Sequence, residues 1–193
     1  MASNINPHII QELQQRIAEY EDAAAYKKLF LLFFLPLKSF SYSILKSNEY
    51  AEEVVSDVFV EVWARRKQLM EIENLKMYLY ISVRNASLRQ LQKIKKTKIL
   101  SLDNLQVTFA SADLNAVDSI ISKELVTKIE FAIEQLPPQC KIIYKLAKED
   151  KLKYKDIGEL LSISVKTIDN QIATALKKIA SVLNLSIKKS PTK

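Results

Sequence analysis

Lys153-Tyr154-Lys155-Asp156-Ile157-Gly158-Glu159-Leu160-Leu161-Ser162-Ile163-Ser164-Val165-Lys166-Thr167-Ile168-Asp169-Asn170-Gln171 is the stretch on which the fold turns. Residues 153–161 have the apolar spacing of a short helix, Ser162-Ile163-Ser164 reads as a turn, and a second helix runs from 165 to about 183. Ser164 suits the first position of that second helix, because its hydroxyl can accept a hydrogen bond from a backbone N–H that the helix itself leaves without a partner. Two helices crossing near a right angle need a small residue where they come closest, and Gly158, the only glycine in the chain, stands there. Ile157, Leu160, Leu161, Ile163, Val165, Ile168, Ile172 and Leu176 are expected to form the core of the pair. With Ile168, Ile172, Ala175 and Ile179 inward, the opposite face presents Lys166, Thr167, Asn170, Gln171, Thr174, Lys177 and Lys178. Amides and hydroxyls can meet base edges and lysines can meet phosphates, so the pair is expected to be a DNA-binding helix-turn-helix. The plainer alternative is a helical hairpin with a wet face.

Outward from this stretch, a lead-in helix covers 139–149 and the polar break Asp150-Lys151-Leu152 ends it. Leu136-Pro137-Pro138 closes one helix, from 120, and opens the next, since proline suits a first helical turn and not an interior. Residues 97–120 lose periodicity and carry Ser, Thr, Asn and three Asp, the pattern of a linker. Before it, helical patterns cover 75–95 and 49–66, with Ser47, Asn48 and Glu49 as capping residues for the latter. Ala51, Val54, Val55, Val58, Phe59, Val62 and Trp63 form its apolar stripe. Two helices in close succession are expected over 9–35 and a further helix over 38–46, and Pro36 interrupts the apolar run 29–37. That run is too short to span a bilayer. In the 75–95 helix, Leu75, Leu79, Val83 and Ala86 share one face and Lys76, Tyr80 and Arg84 point elsewhere.

Composition agrees with an all-α chain of 193 residues: 48% of residues are hydrophobic, and with one Gly and five Pro there is little material for tight hairpin turns. Residues 1–92 hold eleven basic and eleven acidic side chains, while 141–193 hold twelve lysines against five acids. The net charge of +7 therefore belongs to the C-terminal third and to the cluster Lys93, Lys95, Lys96 and Lys98, a distribution suited to a polyanion. Catalysis is not expected. His8 and Cys140 are the only residues of their types, so no cysteine–histidine pair or zinc set can be assembled, and one glycine makes no phosphate loop. No cofactor or metal is expected. A lone cysteine cannot form an internal disulfide and the N-terminus shows no signal peptide, so a reducing, cytoplasmic location is expected.

Residues 153–168 resemble region 4.2 of the extracytoplasmic-function sigma factors, a subfamily of the sigma-70 family, and Leu136-Pro137-Pro138 resembles the start of region 4.1. Ala51-Glu52-Glu53-Val54-Val55-Ser56-Asp57-Val58-Phe59-Val60-Glu61-Val62-Trp63 looks like region 2.2. Leu75-Lys76-Met77-Tyr78-Leu79-Tyr80-Ile81-Ser82-Val83-Arg84-Asn85 looks like region 2.3 running into 2.4. The resemblance covers about 25–95 and 121–186, in the family's order. It implies two small helical domains joined by a flexible linker: an N-terminal extension at 1–24, sigma domain 2 at 25–95, a linker at 96–120, sigma domain 4 at 121–187 and a basic tail at 188–193.

The resemblance also implies partners and positions. Domain 2 would bind the β′ clamp helices of core RNA polymerase and open the −10 element; domain 4 would bind the β flap and read the −35 element. An anti-sigma factor would sequester the free protein. Core-polymerase positions fall on Glu53, Ser56, Asp57 and Val60, and Glu53, Asp57 and Glu61 recur at i+4 as an acidic ridge. For the −10 element the resemblance points to the loop 67–74, where a flipped base could be held, and to Asn85, with Tyr80 and Arg84 beside it and Lys93, Lys95 and Lys96 on phosphates. For the −35 element it points to Asp169, Asn170, Gln171, Ala173 and Thr174, flanked by Lys166, Thr167, Lys177 and Lys178. Many relatives carry arginine here, but this chain has none after Arg89, so two-pronged arginine–guanine contacts are not available to it. Asn170 and Gln171 are expected to read adenine instead, which implies an altered −35 preference. The acidic linker residues Asp103, Asp113 and Asp118 could mimic nucleic acid in the polymerase channel. A stand-alone helix-turn-helix regulator with an N-terminal interaction domain is the competing reading.

Overall fold

The computed structural model describes residues 7–100 and 120–183, with side chains over 7–96 and 127–183. Most of the expected linker, its three aspartates, the basic tail and the side chain of Lys98 lie outside the described residues. Every regular element among the described residues is helical, and the chain forms two compact units.

The first unit is built on α1 (Pro7–Tyr20), α2 (Ala23–Leu45), α3 (Asn48–Ala64), a 3-10 helix (Arg66–Glu71) and α4 (Leu75–Leu100). Asp22 caps α2: its carboxylate accepts from the backbone N–H of Ala24 and Ala25 at 2.8 and 3.0 Å. The Ala25 amide, then the Arg16 guanidinium and the Ala24 amide, hold its carboxyl below the usual range. Ser47 caps α3, accepting from the N–H of Tyr50. The α3 stripe is buried as its spacing predicts, at Ala51, Val54, Val55, Val58, Phe59 and Val62.

Two expectations need correction. Pro36 does not end a helix: α2 runs through it as one element of 23 residues. A proline inside a helix costs about 3 kcal/mol. Beyond it, however, Leu37, Phe40 and Leu45 are all buried, and burying one such side chain contributes about 1.5–3 kcal/mol. Packing therefore outweighs the lost hydrogen bond. Unbroken, α2 is long and apolar enough to cross a membrane by length and composition. It packs against α3 and α4 with its Ala25–Leu29–Phe33–Leu37–Phe40 row enclosed, as a core helix does.

The second correction concerns α4. Tyr80 does not point away from the core; it is 0% exposed, with its ring 5.4 Å from that of Phe40. Leu75, Met77, Leu79 and Val83 are buried with it. Ser41 of α2 and Ser87 of α4 are also enclosed and share a hydrogen bond of 2.8 Å, which removes the cost of two buried hydroxyls. Residues 7–20, assigned by the resemblance to an extension, pack into this unit through Ile10, Leu13, Gln14 and Ile17.

The second unit comprises α5 (Ile120–Glu134), α6 (Pro138–Tyr144) continuing into a π turn (Lys145–Glu149), α7 (Tyr154–Leu161) as far as Gly158, and α8 (Val165–Val182). Pro138 opens α6 as expected, and Lys141 N–H donates to the Pro137 carbonyl. Ala132, Ile133, Leu136, Cys140, Ala175 and Ile179 form a core in which the second half of α8 rests on α5 and α6. The Cys140 thiol donates to the Gln171 carbonyl at 3.2 Å, and burial raises its pKa, so it behaves as a packed and unreactive group. Val165 and Leu176 stand outside the expected helix-turn-helix core, at 46% and 41% exposed. They flank the buried row of Ile168, Ile172, Ala175 and Ile179, which is narrower than the pattern suggests.

Candidate functional site

Three faces carry the residues singled out by sequence. On α3, one i, i+3, i+4, i+7 row lies opposite the buried stripe: Glu53, Asp57 and Val60 are exposed and Ser56 is half-buried. Val60 is 66% exposed, which is unusual for a branched apolar side chain flanked by carboxylates. Glu61 pairs with Arg65 at 2.9 Å and Glu52 with Lys38, so two acids near the row are already engaged within the unit. Glu53 and Asp57 form no ion pair among the described residues. The face offers negative charge around one apolar contact, a combination suited to a basic helical partner.

The second face joins the segment 66–74 to α4. The expected loop is largely a 3-10 helix, closed by a hydrogen bond from Ile72 N–H to the Leu69 carbonyl. Asn74 starts α4, its side-chain oxygen accepting from Met77 N–H at 3.0 Å. Two contacts tie the segment to the α1–α2 end. Arg66 pairs with Glu21 at 2.8 Å, and its guanidinium lies 4.9 Å from the Trp63 ring centre. Bonding to Arg66 holds the Glu21 carboxyl below its usual range. The Gln14 amide donates to the carbonyls of Leu69 and Ile72. Along α4, Asn85, Lys93, Lys95 and Lys96 are exposed and Arg84 is half-buried, with its guanidinium 3.5 Å from the Asn85 side-chain oxygen. Tyr80 is enclosed, and an enclosed ring cannot stack on a base, so it leaves the candidate set. Sequence reasoning missed Leu88 and Gln92, both exposed, which continue the Asn85 row at i+3 and i+7 toward Lys95 and Lys96. That periodicity was available as a signal. It also missed Met70, exposed on the 3-10 helix, for which no periodicity exists.

The third face is that of α8. Lys166, Asp169, Asn170, Ala173, Thr174, Lys177 and Lys178 are exposed, with Thr167 and Gln171 half-buried. Ser164 caps the helix, accepting from Thr167 N–H at 3.1 Å, and the two hydroxyls lie 2.9 Å apart. Thr167 is thus committed to the cap. The Thr174 hydroxyl donates to the Asn170 carbonyl at 2.8 Å, which leaves it free to accept but not to donate outward. Asn170 makes the cleanest candidate contact, an exposed amide between lysines. The turn that sets this helix depends on Gly158. A Cβ there would lie 2.9 Å from the Ile163 carbonyl oxygen and 3.7 Å from Cδ1 of Ile168. The small residue is required as expected, but by the backbone of the turn more than by the second helix. Ser162 takes the left-handed conformation, φ 57°, and Ile163 N–H returns to the Gly158 carbonyl at 3.0 Å.

These faces sit within two family matches. A model described as Sigma-70 region 2 matches residues 34–97, and one described as Sigma-70, region 4 matches residues 127–179. Among solved structures, the chain is similar to the sigma factor RpoE in complex with the anti-sigma factor NepR from Bartonella quintana. The TM-score is 0.54 at 20% identity, over 84% of this chain and 98% of that one. It is also similar to CnrH in complex with the cytosolic domain of CnrY, with a TM-score of 0.52 at 15% identity over 91% and 97%. At such identities the likeness is one of fold. Comparison with curated proteins finds no match. The two sigma-70 matches together span more than half of the chain, in the order the sequence resemblance implied, so the chain belongs to the sigma-70 family.

Proposed function

We propose that this alternative sigma factor binds core RNA polymerase through α3 and directs initiation at promoters read by α4 and α8. The observation that carries the proposal is the opposite chemistry of two outward rows in one chain. Glu53, Asp57 and Val60 on α3 suit a basic protein helix, while Asn170, Thr174, Lys166, Lys177 and Lys178 on α8 suit a DNA groove. Ser56 completes the polymerase-facing row. Arg84, Asn85, Lys93, Lys95 and Lys96 grip the −10 element; Asp169, Gln171 and Thr167 border the −35 contact. Domain 2 spans 25–95 with α1 packed onto it, and domain 4 spans 121–187. The protein acts in the cytoplasm, takes the β′ clamp helices and the β flap as its polymerase contacts, uses no cofactor and performs no catalysis of its own. The similar chains RpoE and CnrH are described in complex with an anti-sigma factor, NepR, and with the cytosolic domain of CnrY, and a comparable inhibitory protein is proposed here.

Reconstitution tests the proposal. The protein mixed with core polymerase should form a holoenzyme that initiates from a defined set of fragments in a randomised promoter pool. A protein that binds promoter DNA tightly by itself, as a dimer on two-fold sites, and leaves core polymerase unaffected would be a stand-alone regulator instead.

A further inference from the structure

Three polar side chains among the described residues are buried in the cores: Gln14, Ser41 and Ser87. The serines satisfy each other between two helices. Gln14 is different, because its partners are backbone carbonyls of a connecting segment. From the middle of α1, its Nε2 donates to the carbonyl of Leu69 and, at 2.7 Å, to that of Ile72. The Leu69 carbonyl also accepts from Ile72 N–H, so the two inward carbonyls and the amide form one closed set. A leucine in place of Gln14 would leave the Ile72 carbonyl without its Gln14 donor and the Leu69 carbonyl with the Ile72 N–H alone, which loosens the segment.

The consequence appears on the outer side of the same turn. With Leu69 enclosed and the carbonyls of Leu69 and Ile72 drawn inward, Met70 between them is 52% exposed, beside exposed Gln68 and Glu71. Glu21, which follows α1, adds a second restraint by pairing with Arg66 at 2.8 Å. A six-residue 3-10 helix has little stability of its own, so its shape is set by these contacts.

We infer that α1 is part of the −10 reading apparatus: Gln14 is a positioning residue that sets the segment 66–74, from which Met70 meets an unstacked nucleobase. This rests on the sigma-factor reading above. Met70 supplies a polarizable apolar side chain of the kind that packs on a displaced base, and Gln14 makes its placement independent of DNA.

The test uses holoenzyme on a promoter fragment that the wild-type holoenzyme itself selects from randomised duplex DNA, with 2-aminopurine in the strand that opens. Gln14→Met keeps the volume and removes the donor. It should slow the rise of 2-aminopurine fluorescence by about fivefold to tenfold, the loss expected for one hydrogen-bonding group. Affinity for core polymerase, which α3 provides, should stay within about twofold of wild type. Met70→Ala, on an exposed side chain that the fold does not need, should give a similar defect. The double variant should be no slower than the worse single one, as for two residues acting through one segment. Opening at the wild-type rate in either single variant overturns the inference. So does a Gln14→Met loss of core affinity in proportion to its loss of opening, which marks a general packing role. Failure of the wild-type protein to form holoenzyme or select any promoter overturns the sigma-factor reading and this inference together.

Discussion

The outward row of α3 and the outward row of α8 are built on similar helices and differ in almost everything they show. On α3 two carboxylates border the exposed Val60, and residues 1–92 are net neutral by sequence. On α8 amides and hydroxyls alternate with lysines, and the chain around them carries the positive excess. Their supports differ as well. Behind α3 lies a large core of aromatic and branched side chains, including Tyr26, whose hydroxyl donates to the Phe59 carbonyl at 2.7 Å. Behind α8 lies a small core, and the turn ahead of it has room for nothing larger than glycine at 158. A charge census alone would find only the second row. The protein-docking role proposed for the first rests on a pattern of residues on one face, not on net charge.

The comparison can be broken most severely at Gly158. Gly158→Val should unfold the second unit, since even a Cβ meets the Ile163 carbonyl at 2.9 Å and overpacking of this kind costs about 1–3 kcal/mol or more. Binding to −35 duplex should disappear while core-polymerase affinity loses only the β-flap share and keeps the part α3 provides; complete loss of both in one step, followed by circular dichroism and anisotropy, would show that the units do not act separately. Next in size, Asn170→Ala should relax base preference at one −35 position by about tenfold, from a contact worth roughly 1–3 kcal/mol. Gln171→Ala should do less, because Gln171 is half-buried. Unchanged selection from a randomised −35 library would remove both from the reading. Smaller again, Lys177→Ala and Lys178→Ala should each flatten the salt dependence of binding by about one counterion without changing base preference.

The smallest effect concerns stability alone. Burial raises the pKa of Glu149, with Glu134 and Glu130 adding to it. A carboxyl whose folded pKa lies above its unfolded value binds more protons in the native state, so stability falls as pH rises through that window. Glu149→Gln should therefore raise the melting temperature slightly at pH 7, and the gain should vanish below about pH 4, where both proteins carry a neutral side chain. A gain that persists in acid would assign the effect to packing.

Sequence made some of these features plain and concealed others for identifiable reasons. The α3 stripe was legible because six buried positions repeat without interruption between a capping serine and a basic end. Ser164 and Gly158 were legible because turn chemistry is local. Pro36 misled, since the rule that proline ends helices weighs one hydrogen bond and not the burial of Leu37, Phe40 and Leu45 beyond it. Tyr80 could be read from sequence either as a neighbour of Asn85 on the DNA face or as a core ring, and the structure packs it on Phe40 of α2, a partner forty residues away in sequence. Gln14 gave no signal, because what it bonds is backbone 55 residues on, and backbone partners leave no trace in side-chain patterns.

Whether the two rows have separate partners is decided by one titration carried out on two variants. Core polymerase is added to fluorescently labelled Glu53→Lys/Asp57→Lys protein and to Asn170→Ala/Gln171→Ala protein, and dissociation constants are read by anisotropy. At least about tenfold weaker binding is expected for the α3 variant and wild-type binding for the α8 variant, whose defect appears only when promoter DNA is supplied. Equal core affinity for all three proteins, or a loss confined to the α8 variant, would contradict separate partners.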